Sequence, residues 1–329
     1  MKKLYILATL FVASISFGQV SDRFTGTGAL NANGWSTHSG ATPGQLTIST
    51  GSLTYATISP AGNKVALVAG NTEDVNLSCG TAITGTAYYS AIINLPNITG
   101  LNLNTASGDY SIALGGTAGA SVTALPARIY FRAGATADTF NLGILNNSGG
   151  TVAPSYVATN FPINTPVFAI VKYDLTTNTA SLFINPALDS TEPTATVTNN
   201  TGTGAAPTSI ASVTLRQAGT ATAGTGNVEF DDIRVANNWA YVSSATLKIN
   251  QNSISGLSVY PNPVKNGVFF INTDANAEKT VTVFDVLGKQ VLNLTTSNNA
   301  INVNNLNSGV YMVKITEEGK TATRKLVIE

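Results

Sequence analysis

The chain has 329 residues, carries 17 basic and 17 acidic side chains, and is only 10% charged, against about 25% in an ordinary globular protein. So sparse and balanced a surface argues against a nucleic-acid partner, because phosphate binding is driven by clustered Lys and Arg and the counterions they release. One cysteine, Cys79, excludes an intramolecular disulfide, and one histidine, His38, leaves that thiol without an obvious base. Cys79 is therefore expected to be a small buried hydrophobe, and His38 a loop imidazole rather than a zinc ligand or triad member.

The N-terminus pairs Lys2 and Lys3 with an apolar run from Leu4 to Phe17 and then small residues. This is the charged head, hydrophobic middle and small-residue exit of a secretory signal peptide over residues 1–18. The run is short for a membrane span, which needs about 20 apolar residues, so the chain is not expected to be an integral membrane protein.

A composition shift follows near residue 256. Residues 19–256 hold 19 charges in 238 positions, whereas residues 257–329 hold 13 in 73. The expected organisation is a body over 19–243, a linker over 244–256 and a separate tail over 257–329.

In the body, short alternating runs predict β-strands. In "ARIYFRAG", Ile129 and Phe131 fall on one face while Arg128, Tyr130 and Arg132 fall on the other. "PVFAIVKYDLTTNTASLFINP" reads as a hairpin between Pro166 and Pro186. "SLTYATIS", "AYYSAIINL", "DYSIALGG", "SVTLRQAG" and "NVEFDDIRVA" read as further strands, the last with a bulge at its paired aspartates and with Trp239 nearby to close the core. No segment beyond the leader has a helical period. The tail gives "LSVY", "GVFFIN", "KTVTVFD", "KQVLNL", "AINV", "GVYMVKIT" and "ATRKLVIE". The fold class is all-β: a jelly-roll β-sandwich followed by a small immunoglobulin-like β-sandwich.

The acidic candidates cluster in "VEFDDIRVANNW". Glu229 and Asp231, at i and i+2, share one strand face and could serve a retaining glycosidase. Asp231 and Asp232 are weak calcium candidates, as are Glu73 and Asp74, since hard oxygen ligands suit that ion. Otherwise no cofactor is expected. Five N-x-S/T sequons, at Asn76, Asn97, Asn146, Asn199 and Asn293, follow from the composition.

The tail motifs "VYPNPVKNG", "VFDVLGKQV" and "INVNNLNSGVYMVKITEEGKTATRKLVIE" resemble the type A C-terminal sorting domain of the type IX secretion system. The residues carrying the likeness are Pro261, Asn262, Pro263, Gly288, Gly309, Tyr311 and Lys325; the final Glu329 departs from the basic end of many members. The resemblance implies export through the periplasm of a Gram-negative bacterium to the surface or beyond. Its implied partners are an outer-membrane translocon and a sortase-like peptidase. "DST" at 189–191 resembles the O-glycosylation motif of such bacteria.

The body resembles laminin-G-like or concanavalin A-like jelly-roll domains, with "GWSTHSG", "ASLFINP" and "SVTLRQAG" among the carrying segments. Against the E-x-D-x-x-E run of family 16 glycoside hydrolases, Glu229 and Asp231 match the first two acids, but Arg234 stands at the third. The expected function is thus a non-enzymatic surface adhesion or glycan-binding protein, using loops at one rim of the sandwich. A polysaccharide-active hydrolase using Glu229 and Asp231, and a surface structural protein without a ligand, are the alternatives.

Overall fold

The computed structural model describes residues 20–40, 42–60, 62–151, 153–245, 254, 256–317 and 320–329. The leader at 1–18 and most of the 244–256 linker lie outside them. The chain divides into two compact units, Ser16–Lys248 and one holding Ile249–Glu329.

The body unit is a sandwich of two antiparallel sheets. One has nine strands, running Val197–Asn199, Thr179–Ile184, Val167–Asp174, Thr86–Asn94, Val228–Ala236, Lys64–Leu67, Thr47–Ser49 and Gly28–Ala29, with Val20–Asp22 beside Val228–Ala236. The other has seven, in the order Ser155–Pro162, Thr139–Leu145, Arg128–Ala133, Asp109–Gly115, Ile210–Arg216, Asp74–Ile83 and Ser36–Ser39. Runs of consecutive strands, such as Asp109–Gly115 to Ser155–Pro162, lie beside strands remote in sequence, such as Ile210–Arg216 next to Asp109–Gly115 and Val228–Ala236 next to Thr86–Asn94, the crossed order of a jelly roll.

Burial differs between the sheets, and that difference positions the site. In Val167–Asp174, Val167, Ala169, Val171 and Tyr173 enter the core between the sheets. Phe168 and Ile170, on the opposite face, join Leu53, Ile58, Tyr88, Ile92, Phe183, Trp239 and Val242 in a second apolar cluster. The nine-stranded sheet is therefore covered on both sides over its centre. In Arg128–Ala133 of the seven-stranded sheet, Ile129 and Phe131 are fully buried in the core, while Arg128 and Arg132 on the other face stay half-buried. That outer face remains in reach of solvent.

Two expectations need correction. "SLTYATIS" forms no strand: Tyr55 and Ile58 make a tight isolated bridge, and Leu53 and Ile58 pack onto the second cluster. Its apolar alternation is satisfied by lying on a sheet face rather than by extending a ladder. A short helix, Trp239–Val242, also follows the last body strand, capped by the Asn238 side chain accepting from the Tyr241 amide at 3.0 Å. Trp239 closes the second cluster, 4.9 Å from the Phe183 ring.

The tail unit is a sandwich of a three-stranded sheet (Ser258–Tyr260, Val268–Asn272, Ala300–Asn302) and a four-stranded one (Gln290–Thr296, Lys279–Phe284, Gly309–Glu317, Lys320–Ile328). Phe269, Ile271, Val281, Val283, Val313, Ile315 and Leu326 fill its core. Pro261 and Pro263 cannot donate ladder bonds, and Asn262 between them substitutes its side chain. Its amide donates to the Lys325 carbonyl at 2.8 Å and accepts from the Val327 amide at 2.9 Å. The Pro-Asn-Pro corner is thus fastened to the last strand. Gly288 takes φ +83° in the Asp285–Lys289 turn, Gly309 opens its strand opposite Ile328, and the Tyr311 hydroxyl donates to the Asn307 carbonyl at 2.8 Å.

Candidate functional site

Strand alternation puts Arg128, Tyr130 and Arg132 on the outer face of the seven-stranded sheet, and neighbouring strands complete the surface. On Asp109–Gly115 a register irregularity lies between the Tyr110–Tyr130 and Ile112–Ile129 pairs. It lets Ile112 stay in the core while Tyr110 stands beside Tyr130, ring centroids 5.6 Å apart. Two guanidinium groups lie against Tyr110: Arg128 at 4.7 Å and Arg216 at 4.2 Å from its ring centroid. Arg132 covers Tyr156 at 3.5 Å. Tyr156 in turn lies over Gly143, where an added Cβ would come within 2.8 Å of its ring. Only glycine admits the phenol at that height.

The charges on this face are unevenly compensated. Arg216 forms an ion pair with Asp109 at 2.6 Å and also donates to the Tyr110 carbonyl at 3.2 Å. Burial works against its charge, but Tyr110 and Asp109 more than offset that and raise its pKa. Arg132 donates twice to the Asn141 side-chain oxygen, both at 3.1 Å, and Arg128 donates to the Leu125 carbonyl. These partners are neutral.

Burial raises the pKa of Tyr130 and, strongly, that of Tyr156, so both remain phenols at neutral pH. Asp74, opposite Arg216 in the sheet, is also raised by burial, against hydrogen bonds from the Ser39 hydroxyl and the Gln217 amide. His38 is half-buried on the strand Ser36–Ser39 rather than in the expected loop; burial lowers its pKa, and its Nδ1 sits 3.2 Å from the Asn76 amide nitrogen. The loop around Gly119 closes the far end, since Gly119 exchanges hydrogen bonds with the Asn76 side chain at 2.8 and 2.9 Å. Phenols, guanidinium groups and two carboxylates, Asp74 and Asp109, thus share one face. Such a surface can seat sugar rings, hydrogen-bond their substituents and move protons.

The acids singled out by sequence are held elsewhere. Glu229 pairs with Lys64 at 2.8 Å and accepts from Asn94 at 2.7 Å. Asp231 is fully buried and accepts the amides of Leu53 at 2.9 Å and Asp232 at 2.7 Å. Asp232, at φ +47° in the expected bulge, meets the fully buried Arg234 and, at 3.5 Å, Arg23. Arg234, at the position where the E-x-D-x-x-E run has its third acid, completes a buried ion pair. The Glu229 and Asp231 pair therefore serves packing, and two guanidinium groups meet Asp232, one of the weak calcium candidates. Glu73 is also buried, binding Thr37, Gly44 and Leu46 at 2.6 to 2.8 Å as an anchor for their loop. Among the described residues no group of three or more His, Cys, Asp or Glu is placed to hold a metal ion.

Cys79 is buried as expected, and burial pushes its thiol up to about 12. Asn76, Asn146 and Asn199 are buried structural amides. The face itself was signalled by one strand, "ARIYFRAG"; its assembly with Tyr110, Tyr156 and Arg216 was not.

Comparisons with known proteins give remote and partial likenesses. Among solved structures, a sialidase is 12% identical, with 71% of this chain and 20% of that chain covered and a TM-score of 0.40. The carbohydrate recognition domain of Emp46p is 9% identical over 66% of this chain and 95% of that chain, with a TM-score of 0.36. At these levels neither carries anything about binding or activity. Among curated proteins, an ulvan lyase of Nonlabens ulvanivorans is 32% identical over 91 residues, 26% of this chain and 17% of the relative. The chain thus spans about a sixth of that relative's length, and the expectation of a non-enzymatic protein is corrected by this finding, since the matched relative is an enzyme. Among the described residues no helix is long and apolar enough to cross a membrane. Residues 258–329 match the secretion system C-terminal sorting domain, and with that tail the chain is marked for type IX secretion to the cell surface or the extracellular space.

Proposed function

We propose that the chain is an exported polysaccharide-active enzyme. Its substrate lies along the outer face of the seven-stranded sheet in the 19–243 body, joined by the 244–256 linker to the sorting tail at 257–329. A leader at 1–18 starts export, and the translocon and a sortase-like peptidase finish it. The observation supporting the site is that face itself, where Tyr110, Tyr130 and Tyr156 are interleaved with Arg128, Arg132 and Arg216 while the other sheet is covered. The enzymatic reading draws further support from the partial likeness to an ulvan lyase. Asp74, whose raised pKa favours the protonated form, and Asp109, positioned by Arg216, are the carboxylates available for acid and base roles.

The test is release of new reducing ends from a panel of laminarin, alginate, polygalacturonate and dextran. Asp109→Asn and Asp74→Asn should each slow release by roughly 10²- to 10⁴-fold, the usual worth of a general acid or base, while Glu229→Gln leaves it unchanged. No release from any polymer, or loss on Glu229→Gln alone, would refute the reading.

A further inference from the structure

Two of the arginines on this face have no carboxylate partner among the described residues. Five arginines occur between residues 19 and 256, namely Arg23, Arg128, Arg132, Arg216 and Arg234. Arg23 and Arg234 share Asp232, and Arg216 has Asp109. Among the described residues neither Arg128 nor Arg132 lies within ion-pair distance of a carboxylate. Both are half-buried, both are oriented by neutral acceptors, and both lie over tyrosine rings. A half-buried cation with no counter-charge is an unfavourable arrangement for stability alone. Holding two of them on one strand, in a chain of zero net charge, marks the face for an anionic ligand.

From this arrangement we propose that the substrate of this face is an anionic polysaccharide, whose carboxylate or sulfate groups are received by Arg128 and Arg132, with Arg216 between Tyr110 and Asp109 as a third contact. The planar guanidinium fork matches either oxyanion. Arg128 and Arg132 are four residues apart on one strand, about 13 Å at the strand rise, so a polymer can engage both while a small anion reaches one. The tyrosines beside them hold the guanidinium groups in place, Tyr110 lying against Arg128 and Arg216 and Tyr156 beneath Arg132. This proposal rests on the placement of the substrate on the same face, but not on cleavage.

The experiment measures binding of the full chain to polygalacturonate (carboxylate), dextran sulfate (sulfate ester), laminarin and dextran (both neutral) across a salt series, with reducing-end release followed in parallel. Binding of at least one anionic polymer should exceed the neutral ones by about tenfold or more, as charge-assisted hydrogen bonds predict, and should weaken with salt. The carboxylate and sulfate arms show which anion is read. Arg128→Gln with Arg132→Gln should abolish the preference, with tryptophan fluorescence confirming the fold; if that variant fails to fold, Arg128→Lys, which keeps the charge but loses the fork, should still weaken binding. Equal binding of neutral and anionic polymers by the wild-type chain overturns the proposal, as does an anionic preference untouched by either substitution. Arginine-dependent binding without cleavage would retain it and defeat only the enzymatic reading, whereas cleavage of neutral polymers alone would do the reverse.

Discussion

Asp231 offers a direct test of the buried bulge. Its carboxyl is lifted from 3.8 to about 7, first by burial and further by Asp232, against the amides of Leu53 and Asp232 and the Arg23 guanidinium. A carboxyl whose folded pKa is raised contributes its stability below the unfolded value and loses it as pH climbs through the folded one. The window is therefore pH 4 to 7, and at about 1.4 kcal/mol for each factor of ten the rise from 3.8 to about 7 amounts to about 4 kcal/mol of stability lost across it. Asp231→Asn removes the titration while keeping an oxygen to accept from Leu53. It sacrifices one of the two amide bonds, a cost of about 1 to 2 kcal/mol. The variant should thus be less stable than the parent at pH 4 and more stable at pH 8. Urea unfolding followed by tryptophan fluorescence measures this in the body alone, because Trp35 and Trp239 are the only tryptophans and both lie there. A difference between the two proteins that stays constant from pH 4 to 8 would refute the assignment.

Other predictions concern packing and export. Phe230→Ala, opening a fully buried site against Phe131, should cost about 3 to 5 kcal/mol in the same unfolding assay. Asn262→Ala removes both side-chain bonds to the last strand, so the tail should lose about 1 to 2 kcal/mol and the Val327 amide should exchange faster with solvent. Deleting residues 258–329 should leave the body in the periplasm, read by fractionation; unchanged appearance outside the cell would count against the tail as the export signal.

The tail was legible almost strand by strand. Its runs are short, alternate cleanly and are separated by turn residues, so each strand announces its own buried face: in "TVTVF", Val281 and Val283 are fully buried and the threonines are not. The body's hairpin and its bulge at Asp231 and Asp232 were equally local. "SLTYATIS" misled because its apolar residues pack onto the face of a sheet instead of entering one, and alternation cannot tell those fates apart. The strand Asp74–Ile83 gave no clear signal: its middle and end carry exposed Ser78, Gly80, Thr81 and Ala82.

The candidate site shows the same division. Local sequence fixed that Arg128, Tyr130 and Arg132 share a strand face, because alternation is a property of a few consecutive residues. Which face would stay open depended on what covers the other sheet, a matter of Leu53, Ile58, Phe183 and Trp239 meeting from distant segments. The fate of the acids was decided in the same way: Glu229 found Lys64, and Asp232 found Arg23 and Arg234, so that residues with the right spacing for catalysis became parts of the packing. The sequence alone determined the all-β class, the exported tail and the chemistry available on each strand. Only the tertiary structure decided which charges are paired and which are left without a counter-charge, because ion pairing and burial depend on contacts between residues far apart in the chain.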